Sequence, residues 1–228
     1  RRTDLTVFRP SNDSWYVLSM NPTGAVRTFG RETDKFAPAD FDGDGRTEFA
    51  YFRPRNGLWF AVDSINRPVY FMQFGTAEDI PVPADYDGDG KADIAVFRPS
   101  NSTWYIRRSS DNALQITQFG ANGDKPAPAD FDGDGKADIT AFRPSTGVWY
   151  VWRSSDGGFT IETFGTAEDK VVPGDYDGDA KADIAVWRPS TGVWYVLRSS
   201  DGGFNAIGWG TATDIPQVGD FDGDGRFD

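Results

Sequence analysis

The sequence predicts an all-β protein, a five-bladed β-propeller of four-stranded blades whose ring is closed by pairing the N- and C-terminal strands in one blade. Two observations predict this fold. An acidic nine-residue segment recurs five times at a spacing of 45 residues. Each repeat also contains four short strand-like segments separated by turn residues. Four strands per repeat indicate a propeller, because one small blade cannot bury both of its faces alone.

Several features recur in register along the 228 residues. Tryptophans, Arg-Pro pairs and Phe-Gly pairs (once Trp-Gly) accompany the acidic segments at nearly the same spacing. Together they predict one propeller domain over residues 1–228. Its acidic loops are predicted at 40–48, 85–93, 130–138, 175–183 and 220–228.

The third repeat illustrates the strand prediction. A first strand is predicted at 128–131, before the acidic loop, and a second at 138–143 after it. A proline-to-glycine turn separates the second strand from a third at 148–153, and a fourth is predicted at 159–164. We predict no helix, because no segment keeps an apolar period of 3.6 residues.

The two ends of the chain are predicted to complete one blade. Residues 2–10 align with the segment around Glu48 at the end of the first acidic loop, whereas the chain ends at Asp228, the last residue of the fifth acidic loop. Their pairing would remove two exposed sheet edges. Asp4 and Asp228 hold equivalent positions in the repeat, so either of them can complete the fifth loop.

Composition excludes several kinds of function. The chain has no cysteine and no histidine, which excludes disulfides, thiolate or imidazole catalysis and cysteine-type zinc sites. Its net charge of −12 argues against a nucleic-acid partner. No apolar run approaches the roughly 20 residues that span a bilayer, so membrane insertion is not expected.

The acidic loops predict calcium sites. Their pattern is Asp-aromatic-Asp-Gly-Asp-Gly (once Ala)-Lys/Arg-x-Asp/Glu, and so many carboxylates repel one another unless a cation lies between them. Oxygens at positions 1, 3 and 5, with the carbonyl of position 7, match Ca²⁺ coordination in EF-hands, but position 12 is apolar here, so the acid at position 9 must complete the shell. The predicted ligands are Asp40, Asp42, Asp44, Arg46 and Glu48; Asp85, Asp87, Asp89, Lys91 and Asp93; Asp130, Asp132, Asp134, Lys136 and Asp138; Asp175, Asp177, Asp179, Lys181 and Asp183; Asp220, Asp222, Asp224, Arg226 and Asp228, with Asp4 as the alternative to Asp228.

About five Ca²⁺ ions are expected, one per blade. The alternative is a set of solvated Asp-Gly turns, which five copies with the same acid spacing disfavour. Mg²⁺ suits the loops less well, because it keeps several waters. Five Ca²⁺ ions would bring the net charge from −12 to about −2, which weakens the inference against anionic partners.

The nine-residue motif and the Phe-Gly series resemble the FG-GAP/VCBS repeats, the calcium-loop propeller blades of integrin α-subunits and many secreted bacterial proteins. The resemblance covers essentially the whole chain. It implies Ca²⁺ in the hairpin between the first and second strands of each blade. Integrin-like propellers have seven blades, so their blade number does not transfer to this chain.

The expected function is a calcium-stabilised extracellular module for recognition or adhesion, secreted or at the cell surface. Its expected ligand is a carbohydrate, as for a lectin, or a surface protein, and a monomer is expected. Sugar rings could stack on Trp15, Trp59, Trp104, Trp149 and Trp194, although an aromatic residue at a fixed place in every blade more often packs between blades. No singular residue suggests an active site, so an enzyme is not expected. A structural or engineered repeat scaffold is the alternative, and a polysaccharide-active enzyme is the third hypothesis.

The remaining repeated residues are expected to support the scaffold. The Arg-Pro pairs that begin at Arg9, Arg53, Arg98, Arg143 and Arg188 are predicted to end strands with ion-paired or backbone-bound guanidinium groups. Asp34 and its counterparts, four residues after each Phe-Gly glycine, are predicted to cap turns.

Overall fold

The structure of the chain is a computed structural model. The structure describes residues 5–9, 14–18, 25–28, 30–31, 33–63 and 67–220, with the backbone alone over the first three ranges. All of its regular elements are strands. No helix in this described part could cross a membrane.

The strands form four-stranded antiparallel sheets. Four sheets each use consecutive strands: β4-β5-β6-β7, β8-β9-β10-β11, β12-β13-β14-β15 and β16-β17-β18-β19. The strands are β1 Leu5–Arg9, β2 Ser14–Leu18, β3 Ala25–Thr28, β4 Lys35–Phe36, β5 Phe49–Arg53, β6 Leu58–Val62, β7 Pro68–Gln73, β8 Ile80–Pro81, β9 Ile94–Arg98, β10 Thr103–Arg107, β11 Leu114–Gln118, β12 Lys125–Pro126, β13 Ile139–Arg143, β14 Val148–Trp152, β15 Phe159–Thr163, β16 Lys170–Val171, β17 Ile184–Arg188, β18 Val193–Leu197, β19 Phe204–Gly208 and β20 Ile215–Gln217.

The predicted fold class needs a correction. An all-β propeller is confirmed, but four complete blades, each of four consecutive strands with its own acidic loop, are described where five were predicted. The remaining sheet has the order β20-β1-β2-β3, with Val7 of β1 opposite Pro216 of β20. Its acidic loop and the side chains of β1 to β3 lie outside the described residues. A complete fifth blade and the predicted closure of the ring are therefore not shown.

The first strand of each blade also differs from the prediction. In the third repeat it is Lys125–Pro126, paired with Ala141 and Phe142, and not 128–131. Ala127 still donates its amide to the carbonyl of Thr140 at 2.8 Å, and continuous pairing ends after it. Only an isolated bridge between Ala129 and Asp138 follows, at the base of the acidic loop. The other three strands of this repeat lie within about a residue of their predicted bounds.

The core lies between the blades. The second strand of each complete blade is buried on both faces, as in β13, where the first four residues are buried. One core cluster joins Phe52 and Trp59 of one blade to Ile94 and Val96 of the next. Such interblade packing provides the burial that an isolated blade lacks, and burial of large apolar side chains is the main stabilising contribution.

An ion pair fixes the end of each complete blade opposite its acidic loop. In the third repeat, Arg143 donates through Nε and Nη2 to the two carboxylate oxygens of Asp124, both at 2.9 Å. Asp124 also accepts the amide of Ala121 at 2.8 Å, so it caps the turn. The ion pair recurs in the other complete blades as Arg53–Asp34, Arg98–Asp79 and Arg188–Asp169. The predicted turn cap is confirmed for Asp79, Asp124 and Asp169.

The inner strands and acidic loops surround a central cavity of about 610 Å³. Corresponding segments of all five repeats line it, mainly with alanine, proline, valine and glycine. This agrees with the small residues that lead into the loops in the sequence. The acidic loops are therefore arranged around this cavity.

Candidate metal centres

The acidic loop of each complete blade is a tight turn organised by its first aspartate. In the first loop, Asp40 accepts the amides of Gly43 at 2.7 Å and Gly45 at 2.8 Å, one on each carboxylate oxygen. Both glycines have positive φ, 79° and 82°, where a side chain costs energy. The glycines therefore allow the chain to fold around the carboxylate, as the motif predicts.

The turn brings the acids of each complete blade into one cluster. In the first loop four carboxylates each place an oxygen within 4.8 Å of all the others. In the next three loops the acids at positions 1, 3 and 9 form the corresponding cluster. The clusters are Asp40, Asp42, Asp44 and Glu48; Asp85, Asp87 and Asp93; Asp130, Asp132 and Asp138; and Asp175, Asp177 and Asp183.

The acid at position 9 is the most deeply buried member of each cluster. Asp138 has no exposed surface, and its two carboxylate oxygens accept the amides of Phe131 at 3.0 Å and Ser154 at 2.7 Å. Burial nevertheless raises the pKa of Asp138 to about 6, with a smaller contribution from the charge of Asp132. Glu48 holds the same position in the first loop, and burial with the neighbouring Asp42 and Asp40 raises its pKa to about 8.

These raised pKa values predict how pH affects the metal-free protein. A carboxyl whose pKa is higher in the folded state stabilises the fold below its unfolded pKa, and this stabilisation is lost as pH rises through the folded value. In chelator, the free energy of unfolding should therefore fall between about pH 4.5 and 8 because of Glu48. Urea unfolding at a series of pH values measures this slope, which Glu48→Gln should flatten. A stability that rises over this interval would contradict the prediction.

The acid at position 5 is held differently in the first loop and in the next three. Asp44 is part of its cluster and accepts the amide of Arg46 at 2.9 Å. Asp134 also accepts the hydroxyl of Ser154 at 3.0 Å and lies outside the three-acid cluster of its loop. Asp89 and Asp179 bind Ser109 and Ser199 in the same way.

Sequence reasoning missed these serines. They lie in the turn between the third and fourth strands, and a second serine in each turn donates to the acid at position 3. The turn therefore covers the acidic loop of its own blade. The repeated Arg-Ser-Ser-Asp segment was the signal in the sequence; its members are Ser109 and Ser110, Ser154 and Ser155, and Ser199 and Ser200.

The donor chemistry fits a hard divalent cation. Each cluster offers several carboxylate oxygens around one point, which suits Ca²⁺. No ion pair in the described part of the chain joins a lysine or arginine to these cluster acids. The structure thus brings together most of the predicted carboxylates, whereas the carbonyl ligands assigned to Arg46, Lys91, Lys136 and Lys181 stay predictions.

The fifth predicted site is only partly covered. Asp220 is described, whereas Asp222, Asp224, Arg226, Asp228 and Asp4 lie outside the described residues. The carbonyl of Asp220 accepts the amide of Thr47 in the first loop at 2.8 Å. Equivalent bonds join the later loops: Ala92 to Asp40, Ala137 to Asp85 and Ala182 to Asp130, each at 2.6 Å.

Ala180 replaces the position-6 glycine of the fourth loop. Its φ of 67° confirms that this position has a left-handed backbone. Gly135 holds the same position in the third loop at φ 85°, and a Cβ there would meet nothing within 4 Å. The cost of alanine is therefore a backbone cost, about 1 kcal/mol.

Ala180→Gly should raise the free energy of unfolding by about 1 kcal/mol and tighten the fourth calcium site, which we expect to be the weakest of the four complete loops. Gly135→Ala is the matched control and should lower stability by a similar amount. Urea unfolding and calcium titration measure both effects. Unchanged titration of Ala180→Gly would contradict the expected weakness of this site.

The expectation that the repeated tryptophans stack on sugar rings needs a correction. Trp59, Trp104, Trp149 and Trp194 are at most 1% exposed. Each indole Nε1–H donates to the carbonyl of the aromatic residue in the aromatic-glycine pair, as from Trp149 to Phe164 at 2.9 Å. A buried ring has no free face for a sugar, so these four pack between blades. The side chain of Trp15 lies outside the described residues.

The fold and the loops define a class of protein, a β-propeller whose blades carry acidic hairpin loops. The model of the FG-GAP-like repeat matches residues 85–141 and 130–186. The chain therefore contains FG-GAP-like repeats arranged as a β-propeller, as the motif resemblance implied. A search of curated protein sequences gave no match.

Solved structures share the fold at low sequence identity. A Bacteroides caccae protein of unknown function is 11% identical with a TM-score of 0.52, over 96% of this chain and 76% of that one. An Agrocybe aegerita lectin that recognises non-reducing terminal N-acetylglucosamine is 18% identical with a TM-score of 0.50, over 100% and 75%. Virginiamycin B lyase from Staphylococcus aureus is 7% identical with a TM-score of 0.50, over 87% of this chain and 64% of its own length. Their differing names show that the fold alone does not define an activity.

Proposed function

We propose that this chain is a calcium-stabilised recognition module that works outside the cell and is not an enzyme. One observation carries the proposal: three or four carboxylates converge in every complete blade, and in the described part of the chain no lysine or arginine forms an ion pair with them. A bound Ca²⁺ would remove their mutual repulsion and the cost of burying the position-9 acid.

An extracellular role follows from the concentration that such sites need. Loops with this ligand chemistry bind Ca²⁺ over a wide range of affinities, and extracellular modules lie at the weak end. Free calcium near 1 mM fills sites with a dissociation constant of about 10 μM. We therefore place the chain in a secreted or cell-surface protein.

The repetition of the acidic site supports a scaffold role for the metal. A site present in every complete blade stabilises each blade, whereas a catalytic site needs a singular arrangement. Recognition of a carbohydrate or a surface protein would then use residues that differ between repeats. The Agrocybe lectin, which shares the fold, is an example of carbohydrate recognition by this architecture.

Metal analysis of the purified protein tests the calcium part of the proposal. We expect at least four Ca²⁺ ions per chain, one for each complete loop, after equilibration with millimolar calcium. Asp132→Asn should remove or weaken one ion, and Glu162→Gln, at an exposed glutamate on the outer strand β15, is the control. A chain that retains no calcium would overturn the proposal.

A glycan array tests recognition separately. We expect binding in calcium that chelator abolishes, because the scaffold loses its metal. Absence of binding, with the metal count intact, would favour the structural scaffold over the recognition module. Turnover of a polysaccharide would contradict the non-enzymatic role.

A further inference from the structure

The first repeat has a polar pocket at the end of its blade opposite the acidic loop. Its volume is about 270 Å³, and it is lined by Arg31, Thr33, Arg53, Pro54, Arg55 and Asn56. We call these six residues the arginine pocket. Strand β5 separates the arginine pocket from the acidic loop, because the strand begins at Phe49 beside the loop and ends at Arg53 in the pocket.

Arg53 forms the fixed wall of the arginine pocket. Its Nε and Nη2 each donate to Asp34 at 2.9 Å, and its guanidinium lies 4.8 Å from the ring centroid of Tyr51. Asp34 is buried, so this pair is held as part of the scaffold. The ion pair with Asp34 therefore holds the guanidinium of Arg53 in a fixed position at the pocket.

Arg31 and Arg55 contribute two further positive charges. Both residues are exposed, and within the described part of the chain neither guanidinium has a hydrogen-bond or ion-pair partner. Thr33 adds a hydroxyl, and Asn56 adds an amide whose oxygen accepts the amide of Leu58 at 3.3 Å. Glu32 lies outside the described residues and carries no part of the inference.

The second and fourth repeats fill the same position with a glutamate and a serine, whereas the third has Ala121, Gly123 and Ser145 there. In the second repeat Thr76, Glu78 and Ser100 stand where the first has Arg31, Thr33 and Arg55. There, Ser100 donates to Glu78 at 3.0 Å, and Glu78 lies 3.7 Å from Arg98. The fourth repeat has the same arrangement, with Ser190 and Glu168. Among the complete blades, only the first has a basic group in place of these residues.

We propose that the arginine pocket binds the carboxylate or sulfate group of an acidic carbohydrate. Guanidinium groups match the planar or tetrahedral oxyanions of such groups with paired N–H donors. The hydroxyl of Thr33 and the amide of Asn56 can bond to neighbouring sugar hydroxyls. The volume suits a single charged sugar residue, since it lies just below the roughly 300 Å³ at which pockets for larger ligands begin.

The choice of a carbohydrate rests on the proposed recognition function, whereas the choice of an anion rests on the arginine pocket itself. The site requires no metal ligand. It also explains how a propeller with buried repeated tryptophans can recognise a ligand through one divergent blade. Binding of this kind should weaken as salt rises, because the pocket and the ligand carry opposite charges.

The main test compares the protein with Arg31→Thr/Arg55→Ser, which copies the residues of the second repeat and leaves Arg53 and Asp34 intact. The probes are an oligogalacturonate, a sulfated oligosaccharide, a neutral dextran oligosaccharide and inorganic sulfate, titrated in calcium by calorimetry. We expect one or both acidic saccharides to bind and the double variant to lose at least tenfold in affinity. A charged hydrogen bond contributes about 1.5–3 kcal/mol, which corresponds to roughly 10- to 150-fold per bond lost.

A matched control removes the same charge elsewhere. Arg67→Gln, at the other end of the first blade and outside the acidic clusters, is compared with Arg55→Ser alone and should leave affinity within about twofold. Equal loss in this control would overturn the inference, because it would show a response to net charge alone. Inorganic sulfate that binds as tightly as the saccharides would overturn the carbohydrate part.

A transplant tests whether the pocket is sufficient. Thr76→Arg/Glu78→Thr/Ser100→Arg installs the first-repeat residues in the second blade and should add a second binding site for the same saccharide. If no acidic saccharide binds the wild-type protein, the inference is wrong even when calcium is present in the expected amount. If acidic saccharides bind in the absence of any bound calcium, the proposed calcium function fails while the arginine pocket stands.

Discussion

Removal of calcium should abolish most of the stability of this propeller. With a dissociation constant near 10 μM and about 1 mM free Ca²⁺, each site adds roughly 2.7 kcal/mol to the free energy of unfolding. Ordinary domains have only about 5–15 kcal/mol in total, so several sites account for most of it. Loss of a single site should lower the melting temperature by roughly 5–10 °C. Thermal unfolding before and after chelation measures the effect.

The controls for this experiment separate calcium from other cations. Readdition of Ca²⁺ should restore the melting temperature, whereas Mg²⁺ at the same concentration should restore little of it, because Mg²⁺ keeps its waters. Asp132→Asn should reproduce only the part of the loss that belongs to the third loop. A melting temperature unchanged by chelation would show that the acidic clusters do not stabilise the fold through bound metal.

Trp149→Ala should be among the most destabilising single substitutions in the chain, at about 3–5 kcal/mol. The side chain has no exposed surface, and its ring packs 5.3 Å from that of Phe142. Truncation leaves a cavity between blades and an unpaired carbonyl at Phe164, which the indole now bonds at 2.9 Å. Urea unfolding in saturating calcium measures the loss without interference from the metal sites.

Two comparisons make this result specific. Trp149→Phe should cost less than alanine, because it keeps most of the ring volume and loses only the indole hydrogen bond. Phe159→Ala should cost little, since Phe159 is 59% exposed on the outer strand β15. Native-like stability of Trp149→Ala would contradict the interblade role and would reopen a role for this ring in binding.

The repeated features could be predicted from the sequence because their chemistry is local or recurs at every period. An Asp-Gly-Asp-Gly loop must turn sharply, and the positive φ of Ala180 follows from its glycine counterparts. Arg143 and Asp124 recur in every repeat, so a strand-end role and a turn cap could be predicted for them separately, whereas their ion pair with each other appears only in the fold. A tryptophan at a fixed place in each repeat likewise indicated packing, and its burial bears out that alternative over sugar stacking.

What the sequence did not predict depends on contacts between segments distant in the chain. Residues 128–131 read as a strand, but the regular pairing lies at Lys125–Pro126, and only an isolated bridge from Ala129 to Asp138 remains within the predicted range. Ser154 looks like an ordinary turn residue until the fold places its hydroxyl against Asp134, 20 residues earlier. The arginine pocket was not predicted because Arg31, Thr33 and Arg55 differ from their counterparts in the other repeats, and only the fold brings them together.

The bonds between neighbouring loops have a consequence for the history of such chains. Ala92, Ala137 and Ala182 each donate a backbone amide to a backbone carbonyl of the preceding loop. Backbone atoms are the same in every residue except proline, so this part of the junction does not depend on which side chains a neighbouring repeat carries. Duplication or exchange of whole repeats therefore preserves these bonds. One blade can then acquire new surface residues while its neighbours remain nearly unchanged.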